Sequence, residues 1–274
     1  MHRRSFIALS IAALLFCMES RALAEEPRFI IVQSTTSTQD SGLFDAILPG
    51  FTRETGIEVR VVAVGTGQAL KNAANGDGDV LLVHSRADEE RFVTDGHGVA
   101  RFDLMYNDFV LVGPGVDPAG VRGSADVVGA LRRIATTTQP FASRGDDSGT
   151  HKRERQLWQE AGVDVTAASG RWYRETGSGM GATLNAAIGM SAYTLCDRAS
   201  WASFRNKAGH VIMVEGDARL RNQYGVILVD PQRHPRVRAA DGQRFIDWLL
   251  GRTGQAAIAA FRIDGRQVYQ PNAH

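Results

Sequence analysis

Three strand-like runs, FIIVQS, IEVRVVAVG and DVLLVH, follow one another between residues 29 and 84, and stretches of helical composition lie at 42–55, 68–75 and 87–95. Runs rich in β-branched residues favour strands. A helix between successive strands favours laying them parallel, with helices packed on both faces of the sheet. A chain that begins this way is read as α/β. With 274 residues, 43% hydrophobic and 22% charged, it is long enough for one large domain or two smaller ones, each with a core of its own.

Two later runs differ from ordinary βα strands. DLMYNDFVLVGP (103–114) and RNQYGVILVDP (221–231) are long, and each joins a polar start, Tyr106-Asn107-Asp108 or Asn222-Gln223-Tyr224, to an apolar finish. We read them as two hinge strands crossing between lobes. Residues 25–108 with 222–274 then form a discontinuous first lobe, and 109–221 form the second. Each lobe is expected to be a mixed, mostly parallel sheet flanked by helices. Periodicity alone fits two central strands of one sheet equally well.

The first 24 residues, MHRRSFIALSIAALLFCMESRALA, carry a basic start, an apolar run from Phe6 to Phe16 and an Ala22-Leu23-Ala24 cleavage pattern, and are read as an export signal removed in the mature protein. The apolar run is shorter than the roughly 20 residues a bilayer-spanning helix needs. Arg3-Arg4 also resembles a twin-arginine signal, and bulky Phe16 argues against lipid attachment at Cys17. Losing the leader takes Arg3, Arg4, Arg21 and Glu19, so a formal charge of +1 becomes −1, and Cys196 remains as the single cysteine. No internal disulfide is then possible. Nucleic acid calls for a basic face, which this balance does not supply.

Chemistry concentrates where strands give way to helices. FIIVQ runs into STTSTQDSG, where Ser34, Thr35, Thr36 and Ser37 either cap a helix or, with its free N–H groups, seat an anion. The second strand ends in VGTGQALK, where glycines on both sides of Thr66 let backbone amides approach a ligand, although no P-loop spacing is present. Two such turns at one edge of a sheet point to a ligand outside the strands' carboxyl ends. In SRGDDSGTH, Arg144 offers a fork of donors and Ser148-Gly149-Thr150 opens a helix. Asp146 and Asp147 are expected to point away from an anion, as caps or as supports for Arg144. Ser148 and His151 do not make a nucleophile and base, because His151 projects along its helix and no G-x-S-x-G elbow occurs. His84, His97, His151 and His210 lack metal-ligand spacing and are read as surface or capping residues. The turn ETGSGMGATLNAA (175–187) is a weak further source of backbone donors, and Tyr193 or Thr194 in SAYTLCDR is a candidate to face the cleft.

These blocks, in order, resemble the periplasmic tungstate-binding proteins that feed ABC transporters: STTSTQDSGLFDAILPGFTRETGIEV, VGTGQALKNAANGDGDVLLVHS, MYNDFVLVGP, SRGDDSGTHKRE, WYRETGSGMGATLN, AYTLCDR and YGVILVDP. The resemblance spans nearly all of the mature chain. It implies a two-lobed periplasmic binding protein of type II with an oxyanion between the lobes. Carried over, the family's hydroxyl run falls on Ser34 to Ser37, its βα threonine on Thr66, and its arginine, serine and threonine on Arg144, Ser148 and Thr150, with Gly149 between them. Ser34 stands where threonine is usual, Cys196 also replaces a threonine, and Ser85-Arg86 replaces a small residue and proline.

The resemblance and the donor chemistry together imply a non-enzymatic protein that captures tungstate, or also molybdate, and delivers it to a membrane permease. It is expected to be periplasmic and monomeric, with no cofactor, no metal site other than the bound oxyanion and no nucleic-acid partner. Molybdate, sulfate or phosphate is the alternative cargo. An enzyme on the same two-lobed fold would need a cofactor lysine, a cysteine or an acid and base pair in the cleft.

Overall fold

A computed structural model describes residues 28–273; the leader read over 1–24 lies outside the described residues. The chain runs β1 (Phe29–Thr35), α1 (Thr36–Asp40), α2 (Leu43–Thr55), β2 (Glu58–Val64), α3 (Thr66–Ala74), β3 (Val80–Val83), α4 (Arg86–Thr94) and β4 (Gly98–Pro114). It continues through α5 (Val127–Thr136), β5 (Phe141–Ser143), α6 (Gly149–Glu160), β6 (Tyr173–Glu175), α7 (Met180–Gly189), β7 (Thr194–Asp197), α8 (Arg198–Ser203), β8 (His210–Val214) and β9 (Arg221–Val229). Helices α9 (Ala239–Leu250) and α10 (Arg252–Ala260) lead to the short strands β10 (Arg262–Ile263), β11 (Arg266–Gln267) and β12 (Gln270–Pro271).

The first lobe is an α/β layer whose strand order is β12-β4-β9-β3-β1-β2. Strands β2 and β3 each pair parallel with β1, as the alternation of strands and helices predicts, whereas β9 pairs antiparallel with both β3 and β4. Every residue of β3 is buried. It lies between β1 and β9, and its side chains alternate between two apolar clusters. Val80 and Leu82 join Phe44, Phe51 and Phe245 on one face, and Leu81 and Val83 join Ala69, Ala73 and Ile227 on the other. A strand covered on both sides has no polar face to show, so its sequence is a continuous apolar run.

The long strand β4 changes partners in mid-course. Gly98 to Asp108 lies along β9, and from Phe109 onward the strand pairs with β7 and then β8. It is therefore a central strand of the first lobe and the crossover into the second, so the two readings of this run are both met. Past the change its side chains again alternate, Phe109 and Leu111 into a cluster with Phe141, Trp158 and Tyr173, Val110 and Val112 into one with Met180, Leu184 and Trp201. At the change of partner Asn107 lies opposite Asn222, and Asp108 opposite Arg221, so the chain leaves and re-enters the first lobe side by side. The carboxyl ends of β1, β2 and β3 meet at this junction, facing the start of α6.

Candidate functional site

Three strand ends supply the first lobe's side of the junction. Strand β1 passes into α1 with no loop, and Thr35 is the cap: its Oγ1 accepts from the Thr38 backbone N–H at 3.4 Å and sits 2.8 Å from Thr38 Oγ1 and 3.1 Å from Ser37 Oγ. Thr36 opens α1 half-buried, and Ser37 and Thr38 are buried. Ser34 departs from the expected donor role. Strand alternation turns its side chain into the sheet, where its hydroxyl donates to the Leu82 carbonyl at 2.7 Å, so its hydrogen ties β1 to β3. At the end of β2, Thr66 is buried as the first residue of α3, and no side chain caps that helix.

The second lobe's side is built by the turn from β5 into α6. Arg144 is 3% exposed; its Nη2 donates to Asp146 Oδ2 at 2.6 Å, and its Nε has no partner among the described residues. The other oxygen of Asp146 accepts from Ser148 N at 3.2 Å, so Asp146 holds the guanidinium and the turn together. Ser148 caps α6 by accepting from His151 N at 3.2 Å, and Thr150 Oγ1 is fully buried without a partner. His151 Nδ1 accepts from Asp147 N at 3.1 Å, a turn contact of the capping kind. The glycine turn at 175–187 supports from behind: Ser178 N donates to the Arg144 carbonyl at 3.2 Å, and Thr176 N to that of Ser143 at 2.9 Å.

The two sides touch. Gly149 N donates to Thr66 Oγ1 at 3.1 Å. Lys152 on α6 lies 2.8 Å from Asp88 on α4, which also accepts from the Ser85 hydroxyl at 2.6 Å and lies 3.5 Å from Arg91. Asp147, left-handed at φ 57°, brings its carboxylate over the first turn of α3, where a Cβ added to Gly67 would stand 2.9 Å from Asp147 Oδ2. The turn that carries Arg144, Ser148, Gly149 and Thr150 thereby meets, at one junction, the strand ends that lead into Thr35, Ser37 and Thr66. The electrostatics of this junction come from the Arg144 guanidinium, hydroxyls and the N-terminus of the 12-residue helix α6.

His84 is the residue that sequence reasoning missed. Far from the surface, it is 6% exposed and stacked on Tyr224, with ring centroids 4.8 Å apart. Its Nδ1 lies 3.1 Å from Asn222 Oδ1 and its Nε2 3.3 Å from Ser37 Oγ. Burial is the main cause that pulls its pKa down to about 4, so near neutral pH the ring is uncharged. The available signal was its position immediately after β3, the third strand to end at this edge.

Of the other candidates, Tyr193 lies elsewhere, whereas Thr194 Oγ1 is buried with no partner among the described residues. Tyr193 belongs to the second lobe's core, and its hydroxyl donates to Asp117 Oδ1 at 2.8 Å and accepts from Ala119 N at 3.0 Å, both remote from the cleft. Thr194 is buried at the start of β7, paired with Val112. Cys196 is packed with Val110, Val112 and Trp201, where burial raises its thiol pKa and leaves it un-ionised.

A model of the PBP superfamily domain matches residues 22–253. The tungstate-binding protein TupA of Peptoclostridium acidaminophilum is 48% identical over 248 residues, covering 89% of this chain and 86% of that protein. The solved structure of TupA from Desulfovibrio alaskensis G20 is 43% identical with a TM-score of 0.78, covering 90% of this chain and 100% of that one. A structure described as the tungstate ABC transporter from Geobacter sulfurreducens is 45% identical with a TM-score of 0.78, covering 85% and 98% respectively.

Proposed function

The chain belongs to the PBP superfamily and, within it, to the TupA family of tungstate-binding proteins, and on that premise we propose that it captures tungstate between its lobes for an ABC importer. The observation that carries this reading is the buried Arg144, whose Nε lacks a partner among the described residues while Asp146 fixes its Nη2. A buried, unpaired cationic donor is costly, and a ligand oxygen relieves that cost. Tungstate near neutral pH is a tetrahedral dianion that only accepts hydrogen bonds. Thr35, Thr36, Ser37, Thr66, Arg144, Ser148 and Thr150 supply hydroxyl, amide and guanidinium donors to match it, while Gly149, whose N–H goes to Thr66 Oγ1, lets the two sides come close. Ser34 contributes by fixing β1 against β3 through its hydroxyl, whose hydrogen goes to the Leu82 carbonyl and not to the anion.

Donors drawn from both lobes complete their shell only when the lobes meet, so the anion stabilises closure by the contacts it gains there. On this reading residues 25–108 with 222–274 and residues 109–221 move as the two bodies. The protein works as a monomer in the periplasm after losing residues 1–24, and its closed form meets a permease in the membrane. Nothing in the donor set performs chemistry on the anion.

Thermal shift with tungstate, molybdate, sulfate and phosphate tests the proposal. A tight ligand at about a hundred times its Kd stabilises by roughly 2.7 kcal/mol, and weak ones leave Tm in place. Tungstate is expected to raise Tm at the lowest concentration. A larger shift with sulfate or phosphate would reassign the cargo, and no shift with any of the four would remove the oxyanion reading.

A further inference from the structure

A chain of side chains runs behind the cleft from a buried carboxylate to the anion seat. Asp197, fully buried at the end of β7, accepts at Oδ1 from Asn107 Nδ2 at 3.5 Å. Asn107 Oδ1 accepts from Asn222 Nδ2 at 2.7 Å, Asn222 Oδ1 faces His84 Nδ1 at 3.1 Å, and His84 Nε2 faces Ser37 Oγ at 3.3 Å. A carboxylate only accepts, so Asn107 must turn its amino group toward Asp197 and its carbonyl toward Asn222. Asn222 is fixed in turn, with its carbonyl toward the ring. Nδ1 of His84 therefore carries the hydrogen, and the uncharged ring has its lone pair on Nε2, aimed at Ser37.

This direction has a consequence for the anion. With Nε2 as an acceptor, the hydrogen of the Ser37 hydroxyl is drawn to the ring, and a dianion would meet oxygen lone pairs at Ser37. Protonating Nε2 reverses the bond. The ring then donates to Ser37 Oγ, and the hydroxyl rotates to offer its hydrogen to the ligand.

We propose, on the reading that the cleft holds a tetrahedral dianion, that His84 is a positioning residue which takes up a proton from solvent as the anion binds, turning Ser37 into a donor. The site fits this role because His84 meets β9, α1 and α6 at once. From β9 it faces Asn222 and Tyr224, and from α1 Ser37. From α6 it faces Gly149, whose added Cβ would stand 3.1 Å from the ring's Cε1. The charges acting on it are Asp197, which favours the imidazolium, and Arg144, which opposes it. The groove it borders also carries Arg86, Lys152, Arg153 and Arg221 against Glu90 and Asp103. Burial keeps the ring uncharged, and the negative charge of a dianion beside Ser37 would favour the imidazolium against that desolvation cost.

Calorimetric titration of the protein with sodium tungstate in two buffers of different ionisation enthalpy, at about pH 6 to about pH 8, counts the protons taken up. The expected result is a net uptake approaching one proton per anion, with affinity weakening up to about tenfold per pH unit over the range where only the complex is protonated. His84→Gln should abolish both the uptake and the pH slope. In wild type, ¹⁵N-histidine spectra should show the Nδ1–H ring before binding and a doubly protonated ring after it, a readout that needs no variant to fold. Tight binding with buffer-independent heat and an unchanged His84 resonance would overturn the proton-linked role and leave the oxyanion reading intact. Failure of tungstate, molybdate, sulfate and phosphate alike to bind would overturn that reading and this inference with it.

Discussion

The backbone N–H of Gly149, on the first turn of α6, donates to the side chain of Thr66, on the first turn of α3, at 3.1 Å and across 83 residues of sequence. On the proposed division this bond joins the two lobes, and closure as proposed would make it and opening break it. Thr66→Val keeps the shape of the side chain and removes the acceptor. Leaving a buried amide unpaired costs about 1–3 kcal/mol, so tungstate affinity should fall by roughly tenfold to a hundredfold while the ligand-free Tm stays close to wild type. Calorimetry and a thermal melt on the same sample separate the two effects.

Gly149 itself allows the approach. A Cβ there would meet His84 Cε1 at 3.1 Å and Thr66 Oγ1 at 3.2 Å, both on the opposite lobe. Gly149→Ala should therefore weaken the anion by about tenfold. It should leave the empty protein as stable or slightly more so, since alanine favours helix by up to about 1 kcal/mol over glycine. Equal loss of stability with and without ligand would place the clash within one lobe instead.

Arg144→Ala should be the most damaging change to binding, because it removes a buried guanidinium and leaves Asp146 without its partner at 2.6 Å. We expect at least about a hundredfold loss, on the order of 3 kcal/mol, in direct titration. Affinity within about threefold of wild type would show that the guanidinium does not hold the ligand.

The ion pair between Lys152 and Asp88, at 2.8 Å, is partly exposed and also links the lobes. Pairs of this kind contribute roughly 0–1 kcal/mol and are screened by salt. Lys152→Met should speed tungstate release by up to about fivefold at low ionic strength, and by less in about 1 M salt. Stopped-flow dissociation measures both.

Glu154 lies within α6, fully buried, accepting from Tyr173 Oη at 2.7 Å and Trp158 Nε1 at 3.2 Å. Burial raises its pKa to about 7, from 4.5 in the unfolded chain. Across that window the folded protein keeps a proton that the unfolded chain has lost, so stability falls as pH rises. Above it the cost approaches about 3 kcal/mol. Glu154→Gln keeps a neutral acceptor, and its Tm should exceed that of wild type by more at about pH 8 than at about pH 5.

The order of strands and helices was legible in the sequence because each element declares itself locally. The apolar run VLLV, the glycine after α2 and the hydroxyls after β1 act within a few residues of where they stand. The chemical type of the site was legible for the same reason: Arg144, Ser148, Gly149 and Thr150 fall together in one turn, and the sheet brings Thr66 to them. Which hydrogens remain for a ligand was not legible. Ser34 and Ser37 look alike in the sequence, yet Ser34 spends its hydrogen on Leu82 in a neighbouring strand and Ser37 faces a histidine 47 positions away. His84 reads as an isolated polar residue until Asn222 and Asn107, brought opposite each other by β9 and β4, connect it to Asp197. Residue type and period are properties of a short stretch of chain and survive without a fold. Burial and the direction of a hydrogen bond belong to the neighbours, and only the packed tertiary structure decides who those are.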